Sequence, residues 1–470
     1  MKLVIALLAG ASLVLAFAPF SFYPLAVVAP AILFYLWQSA SPKDAFKYGL
    51  LFGIGLFGFG ISWIHFTIYQ FGGLPFIGAI VLTILLVLFM ALYIGVLGWL
   101  VRRYNIYIFI LPAAWTLMEW LRGWFLTGFP WLSIGYSQID SPLSGFAPLL
   151  GVYGVTWITI LSAAILLYSI KFKKYLVLIV VIWGSGWLLS NISWTQAEDK
   201  TLKIALVQAN IPQDFKWESS NEIPTINRYL RLSKSHYDAD IIIWPETAIP
   251  LFYHQSKDLI KHLSKIDTNF LIGIPVMEPD GRYYNGLANL SNNEFYYKHH
   301  LVPFGEYIPF MSMLGDLLKL LDVPMSEFTA GSKKQATLNV EGIAIGASIC
   351  YEDAFGDLVR QSLPEAKLLV NISNDAWFGE SIAPDQHLEI ARMRALETGR
   401  YLLRATNTGI SAVINEKGKI TARSPQFETM TLRATAQTFT GTTPYVIVGN
   451  WLIIGLLFFM VLLAGFKRRI

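Results

Sequence analysis

The chain has 470 residues, of which 54% are hydrophobic and only 14% charged, and its mean hydropathy is +0.49. That is long enough for two or three domains and too apolar for a wholly soluble protein, while a single cysteine rules out an intramolecular disulfide framework. The net charge of +4 is no nucleic-acid footprint, because much of the cationic excess lies between apolar segments.

The composition averages over two unlike regions. Residues 1–193 hold three acids (Asp44, Glu119, Asp140) and nine Lys or Arg, whereas 194–440 read as an ordinary α/β sequence. Apolar runs long enough to cross a bilayer as helices occupy 3–20, 23–40, 46–69, 76–101, 106–124, 149–170 and 174–192, with an eighth at 445–466. The first has Lys2 ahead of an apolar core, as a signal peptide does. A second apolar run follows it after a short turn containing Pro19 and Pro24, so the reading favours a retained hairpin. Lys2, Lys43 with Lys47, Arg102 with Arg103, Lys171 with Lys173 and Lys174, and Lys467 with Arg468 and Arg469 fall at alternate ends of successive spans. The positive-inside rule then places both termini in the cytoplasm and 194–440 on the outer side. Glu119 and Arg122, one turn apart near the outer end of the fifth span, face either protein or a cavity, or form a local ion pair anchoring that helix end. Trp and Tyr residues around them suit an interfacial belt.

In the outer region, strand patterns begin at 202–208 and continue at 239–245, 269–275, 283–290, 294–299, 343–349, 367–372 and 410–415. Helical patterns lie between them at 221–236, 256–264, 353–361 and 385–399. The alternation implies a layered α/β or α+β domain. Three chemically able residues stand at strand ends: Glu246 after Ile243-Trp244-Pro245, Lys298 after Tyr296-Tyr297, and Cys350 after Ser348-Ile349. Taken alone, Cys350 reads either as a buried structural thiol or as a nucleophile. With a carboxylate to take its proton and an ammonium to hold an oxyanion, the three make a set able to carry out covalent acyl transfer. The seven histidines include His299-His300 but no metal-ligand spacing, so no metal and no cofactor is assigned.

Glu246 in Trp-Pro-Glu-Thr, Lys298 in Tyr-Lys-His-His-Leu-Val-Pro-Phe-Gly-Glu-Tyr and Cys350 in Ile-Cys-Tyr-Glu-Asp resemble the Glu-Lys-Cys triad of the nitrilase superfamily. With seven spans before this domain and one after it, the whole chain is similar to the membrane-embedded apolipoprotein N-acyltransferase family of Gram-negative bacteria. The resemblance implies a multi-span helical membrane domain (1–193), an extracytoplasmic αββα sandwich (194–440), and a C-terminal eighth span with a cytoplasmic tail (441–470) in the inner membrane. It implies a ping-pong acyl transfer from a phospholipid, commonly the sn-1 chain of phosphatidylethanolamine, through a Cys350 thioester to the N-terminal amine of a diacylated apolipoprotein. Glu246 would be the general base, and Lys298, with the N–H of Tyr351, the oxyanion stabiliser. The resemblance also makes Glu306 a support for Lys298 and Glu246, Tyr351 and Glu352 shapers of the site, and Trp217 a substrate-binding or gating residue on a loop over the active site.

Plainer readings accompany these assignments: Glu306 as a loop carboxylate, Glu352 as a helix cap, Trp217 as an interfacial anchor. The apolar stretch 310–321 is expected to be an amphipathic lid resting on membrane lipid, or else a buried helix of the sandwich. A monomer suffices for the chemistry. A membrane-tethered amidase or nitrilase shares the triad, and a transporter with a sensing domain is the reading from a different class; few polar groups line the spans to support it.

Overall fold

The computed structural model describes residues 1–307 and 328–466, so the expected lid at 310–321 and the cations Lys467, Arg468 and Arg469 lie outside the described residues. The chain divides into two compact units, one made of Met1–His65, Pro75–Ser193 and the segment from Ile447, the other of Phe66–Leu74 and Trp194–Val446. The short segment Phe66–Leu74, inside the expected third span and the turn after it, thus belongs with the second unit. So do residues 441–446, which the sequence reading gave to the C-terminal span.

The first unit is helical because its sequence is almost uninterrupted Leu, Ile, Val, Phe, Ala and Gly. Its elements include α1 (Lys2–Leu13), α2 (Leu25–Gln38), α3 (Pro42–Gly60), α4 (Ile64–Phe71), α5 (Phe76–Arg103), α6 (Leu111–Arg122), α7 (Ala147–Ser169) and α8 (Leu176–Ser190), α4 passing into the other unit. Small residues let backbones approach closely: a Cβ on Gly10 would overlap the Phe52 carbonyl of α3, and one on Gly49 the Ile94 carbonyl of α5. Phe76–Arg103, Pro142–Ser169 and Lys173–Ser190 are long and apolar enough to cross a bilayer, and the pair Pro42–Gly60 with Ile64–Phe71, bent by 54°, is so only if the two helices count as one span. Lys2–Ala16, Leu25–Gln38 and Trp451–Ala464 are shorter apolar helices.

The run expected as a span at 106–124 is helical only over the 12 residues of α6, which starts with Pro112 in its first turn. Beyond it the chain folds back on buried polar groups. Arg122 donates through Nη1 to the Phe129 and Trp131 carbonyls (both 2.6 Å), and Glu119 accepts from the Ile134 N–H, the Trp115 indole and Thr156 Oγ1. Both residues are buried and pin the segment 129–134, which favours a protein-facing role over a simple helix-end anchor.

The second unit contains two six-stranded sheets, ordered β12-β1-β2-β3-β4-β5 and β11-β10-β9-β8-β7-β6. The first is built from β1 (Gln196–Gln208), β2 (Ile241–Trp244), β3 (Asn269–Met277), β4 (Tyr283–Asn289), β5 (Glu294–Tyr297) and β12 (Met430–Thr440). The second is built from β6 (Leu338–Val340), β7 (Ile343–Ile349), β8 (Leu368–Ser373), β9 (Leu402–Thr406), β10 (Ala412–Ile414) and β11 (Ile420–Arg423). Each sheet has a parallel centre, β1-β2-β3 and β7-β8-β9, with antiparallel strands at its margins. The central strands are buried on both faces, which explains their continuous Ile, Leu and Val runs. Helix Glu222–Lys234 lays Tyr229 on Trp244 of the first sheet, and helix Ala383–Thr398 lays Leu388, Ala391 and Ala395 against β8 and β9. These helices form the outer layers of an αββα sandwich.

Strands β6, β9, β11 and β12 had no strand pattern in the sequence reading, and the helix expected at 353–361 is a 3₁₀ turn (Cys350–Ala354) followed by the short helix Gly356–Val359. For β9 the cause is Arg404, fully buried at the middle of the strand. Its guanidinium donates to Asp353 Oδ2 (3.2 Å), Asn371 Oδ1 and Asp375 Oδ2 (3.1 Å), and lies 2.7 Å from His387 Nδ1. Arg404 holds the Asp375 carboxyl below its usual range although burial works the other way. Asp353, spent on this network, is not free to cap a longer helix.

Removing one partner of a buried ion network costs about 3–5 kcal/mol. Arg404→Met is therefore expected to lower the melting temperature of the detergent-solubilised protein by about 10 °C; a shift under about 2 °C would show the network to be energetically idle.

Candidate active site

Glu246, Lys298 and Cys350 follow β2, β5 and β7, and their side chains are 5%, 1% and 8% exposed as residues. Two sheets contribute, so the group comes together only when they pack. Lys298 Nζ donates to Glu246 Oε1 (3.2 Å) and to Glu306 Oε1 (2.8 Å). Burial disfavours its ammonium, but the charges of Glu246 and Glu306 outweigh that and hold its pKa well above the ordinary value. The second oxygen of Glu246 accepts from the Asn374 N–H (2.8 Å), and that of Glu306 from the Val302 N–H (2.8 Å). Glu306 is therefore part of the buried cluster and not a solvated loop carboxylate.

Cys350 sits in the left-handed region, at φ +52, at the start of the 3₁₀ turn that ends β7. A non-glycine residue there stores roughly 1–3 kcal/mol of strain, and its surroundings hold it. Its carbonyl accepts from Asn371 Nδ2 (3.3 Å) and lies 3.2 Å from His387 Nε2. Burial pushes the thiol pKa up, and the Glu246 carboxylate adds to that while Lys298 opposes it.

Glu352 does more than cap a turn. Oε1 accepts from the N–H groups of His299 (2.7 Å) and His300 (3.0 Å), and Oε2 from the Ile349 N–H (2.7 Å) and the Tyr296 hydroxyl (2.9 Å). One fully buried carboxylate thus ties the end of β5, which carries Lys298, to the end of β7, which carries Cys350. Tyr351 packs edge-on against Phe355 (5.1 Å) and beside His300. Trp217 is outside the buried cluster, 38% exposed, with Lys216 Nζ 5.8 Å over its ring.

Three contributors escaped the sequence reading. Asn285 on β4 donates to Glu246 Oε1 (2.7 Å) and Glu306 Oε1 (3.3 Å), aligning both carboxylates. Asn374, just beyond β8, supplies the N–H on Glu246 Oε2. Lys216 is buried at 1% exposure, its pKa lowered by burial to about 7. Asn285 within a buried strand, and Asn374-Asp375 at a strand end like the triad residues, were the available signals; Lys216 carried none, because it lies in a polar run.

The chemistry such a cluster supports is covalent catalysis: a thiol, a carboxylate that can take its proton, and a fixed ammonium with no freedom to reorganise. Residues 9–165 match the apolipoprotein N-acyltransferase N-terminal domain, and residues 203–445 the carbon-nitrogen hydrolase family. The chain is 41% identical to the apolipoprotein N-acyltransferase of Methylococcus capsulatus over 99% of its own length and 96% of that protein. It is 42% identical to the one of Vibrio cholerae over 93% of its length and 91% of that protein. Among solved structures, Saccharomyces cerevisiae Nit3, a member of branch 10 of the nitrilase superfamily, covers 52% of this chain and is itself covered over 93%, with 19% identity and a TM-score of 0.39. The chain belongs to the apolipoprotein N-acyltransferase family, an acyltransferase family whose catalytic unit is a carbon-nitrogen hydrolase domain.

Proposed function

We propose that the protein transfers a fatty acyl chain from a phospholipid to the N-terminal α-amine of diacylglyceryl-cysteine in apolipoproteins, through a thioester on Cys350. The observation that carries this reading is the buried Lys298 ammonium held between Glu246 and Glu306 with its charge acting on the Cys350 thiol, in a chain whose other unit is made of apolar helices.

In the first step Glu246 takes the thiol proton as Cys350 Sγ bonds to the ester carbonyl carbon, commonly that of the sn-1 chain of phosphatidylethanolamine. The oxyanion forms beside Lys298 and the Tyr351 N–H, where one such donor contributes about 100- to 1000-fold in rate. The C–O bond then breaks, and the departing lysophospholipid oxygen takes the proton from Glu246. In the second step the carboxylate accepts a proton from the incoming amine; a C–N bond forms, the C–S bond breaks and the thiol is restored. A thioester keeps enough acyl-transfer potential to make an amide.

Glu306 and Asn285 keep the Lys298 and Glu246 groups aligned, Glu352 fixes the distance between the two strand ends, Tyr351 shapes the wall beside the nucleophile, and Trp217 gates the acceptor. Residues 1–193 would form seven spans and 441–470 an eighth in the bacterial inner membrane, with both termini cytoplasmic and 194–440 periplasmic. The protein acts as a monomer in this scheme.

Intact-protein mass spectrometry after incubation with phosphatidylethanolamine tests the scheme. Wild type should gain one fatty acyl mass that hydroxylamine removes and a diacylated lipopeptide discharges as triacylated product, whereas Cys350→Ala gains nothing. Release of free fatty acid with no lipopeptide product would mark a tethered hydrolase instead, and no adduct in wild type would remove the central intermediate.

The pH response of the thiol is a separate check. Because its folded-state pKa is raised, the thiolate is absent throughout neutral pH and develops only above the ordinary thiol value of about 8.5. Alkylation of Cys350 by iodoacetamide should therefore show no inflection between pH 5 and 8; an inflection in that window would indicate a resting thiolate and remove the need for Glu246 as base.

A further inference from the structure

Lys216 is a buried amine that the proposed chemistry does not use. It ends the single helical turn Gln213–Lys216 and is the inward-pointing member of its neighbourhood: Phe215 and Trp217 on either side are 44% and 38% exposed, while Lys216 is 1% exposed. A polar nitrogen is sequestered in this way only where it finds hydrogen-bond partners. Its Nζ donates to Thr247 Oγ1 (2.7 Å) and to the Glu246 carbonyl (3.4 Å).

The residue it grips is strained. Thr247 lies at φ +44, a left-handed conformation that is a genuine outlier for a β-branched side chain. The turn has little room for adjustment: a Cβ on Gly273 of the neighbouring strand would overlap the Pro245 carbonyl, so β3 presses against the backbone that carries Glu246. The same helical turn is also linked to the Glu246 carboxylate through Asn374, since Gln213 Oε1 accepts from Asn374 Nδ2 (2.6 Å) and the Asn374 N–H donates to Glu246 Oε2.

We infer that Lys216 is a positioning residue for acyl transfer: by bridging the Thr247 hydroxyl and the Glu246 carbonyl it holds the Glu246–Thr247 peptide in its left-handed turn, aims the Glu246 carboxylate, and ties that turn to the segment bearing Trp217. The inference rests on the proposed role of Glu246 as base. It locates the control of that base in the backbone behind it, where neither the carboxylate's own partners nor its charge would reveal it.

A coupling experiment on the full-length protein in detergent micelles with phosphatidylethanolamine separates this role from a purely structural one. Lys216→Met keeps the aliphatic stem and removes the donor, and should slow single-turnover thioester formation at saturating lipid by about 10- to 100-fold, with KM changed by less than about threefold. Glycine takes the left-handed conformation without strain. In a Thr247→Gly background the same lysine substitution should therefore cost less than about threefold, a non-additivity expected of groups that act through one contact. Thr247→Val keeps the strain and removes the hydroxyl, so it should be slower than Thr247→Gly although it changes less of the side chain; this comparison stands even if Lys216→Met does not fold. Wild-type rates for Lys216→Met, equal losses in both backgrounds, or Thr247→Gly slower than Thr247→Val would overturn the inference. Glu246→Gln tells the two levels apart: if it forms and discharges thioester at the wild-type rate, the reading of Glu246 as base fails, whereas an inactive Glu246→Gln beside fully active Lys216→Met and Thr247→Val variants removes only the role of Lys216.

Discussion

The catalytic unit depends on keeping the Lys298 ammonium charged while excluding it from water. Withdrawing an ammonium from solvent costs several kcal/mol, and only close, well-aligned carboxylates offset it. Glu246 and Glu306 both face Lys298 Nζ within 3.2 Å, and each carboxylate is in turn satisfied by Asn285 and by a backbone N–H. Every member of the cluster is needed to make the burial of the others tolerable. That mutual dependence gives a fixed positive charge beside the Cys350 thiol without any reorganisation at the moment of reaction.

Cys350 is held by a different device. A cysteine at φ +52 stays there because its carbonyl meets Asn371 and His387 and because Glu352 clamps the strand end before it to the segment after β5. Behind these contacts stands Arg404 with Asp353 and Asp375, a charge network inside the second sheet. The strained conformations of Cys350 and Thr247 flank the same site on two different sheets, each supported by buried polar groups. Strain of this kind persists only where the surroundings over-determine it.

The two units solve the burial problem in opposite ways. The helical unit removes nearly all charge, packs small residues against backbones, and satisfies its buried pair Glu119 and Arg122 on one folded-back segment. The sandwich keeps its charges and arranges them as closed networks.

Local pattern was enough to mark most of the apolar helical segments, the parallel centre of the first sheet and two of the three central strands of the second, and Glu246, Lys298 and Cys350 at strand ends, because continuous apolar runs and strand boundaries are encoded by neighbouring residues. Strand β7 was read to the residue at Ile343–Ile349 for that reason. Strand β9 was not read, because Arg404 interrupts its pattern and finds its partners in Asp353, Asn371 and Asp375, 51, 33 and 29 residues away in sequence. The bonds of Asn285 and Asn374 to Glu246 span 39 and 128 residues, and that of Lys216 to Thr247 spans 31. The sequence by itself determined which segments are apolar, where the strands end and which reactive groups stand there. Only the tertiary structure decided which polar groups satisfy one another, since a buried charge is made stable by partners brought together in space from distant parts of the chain.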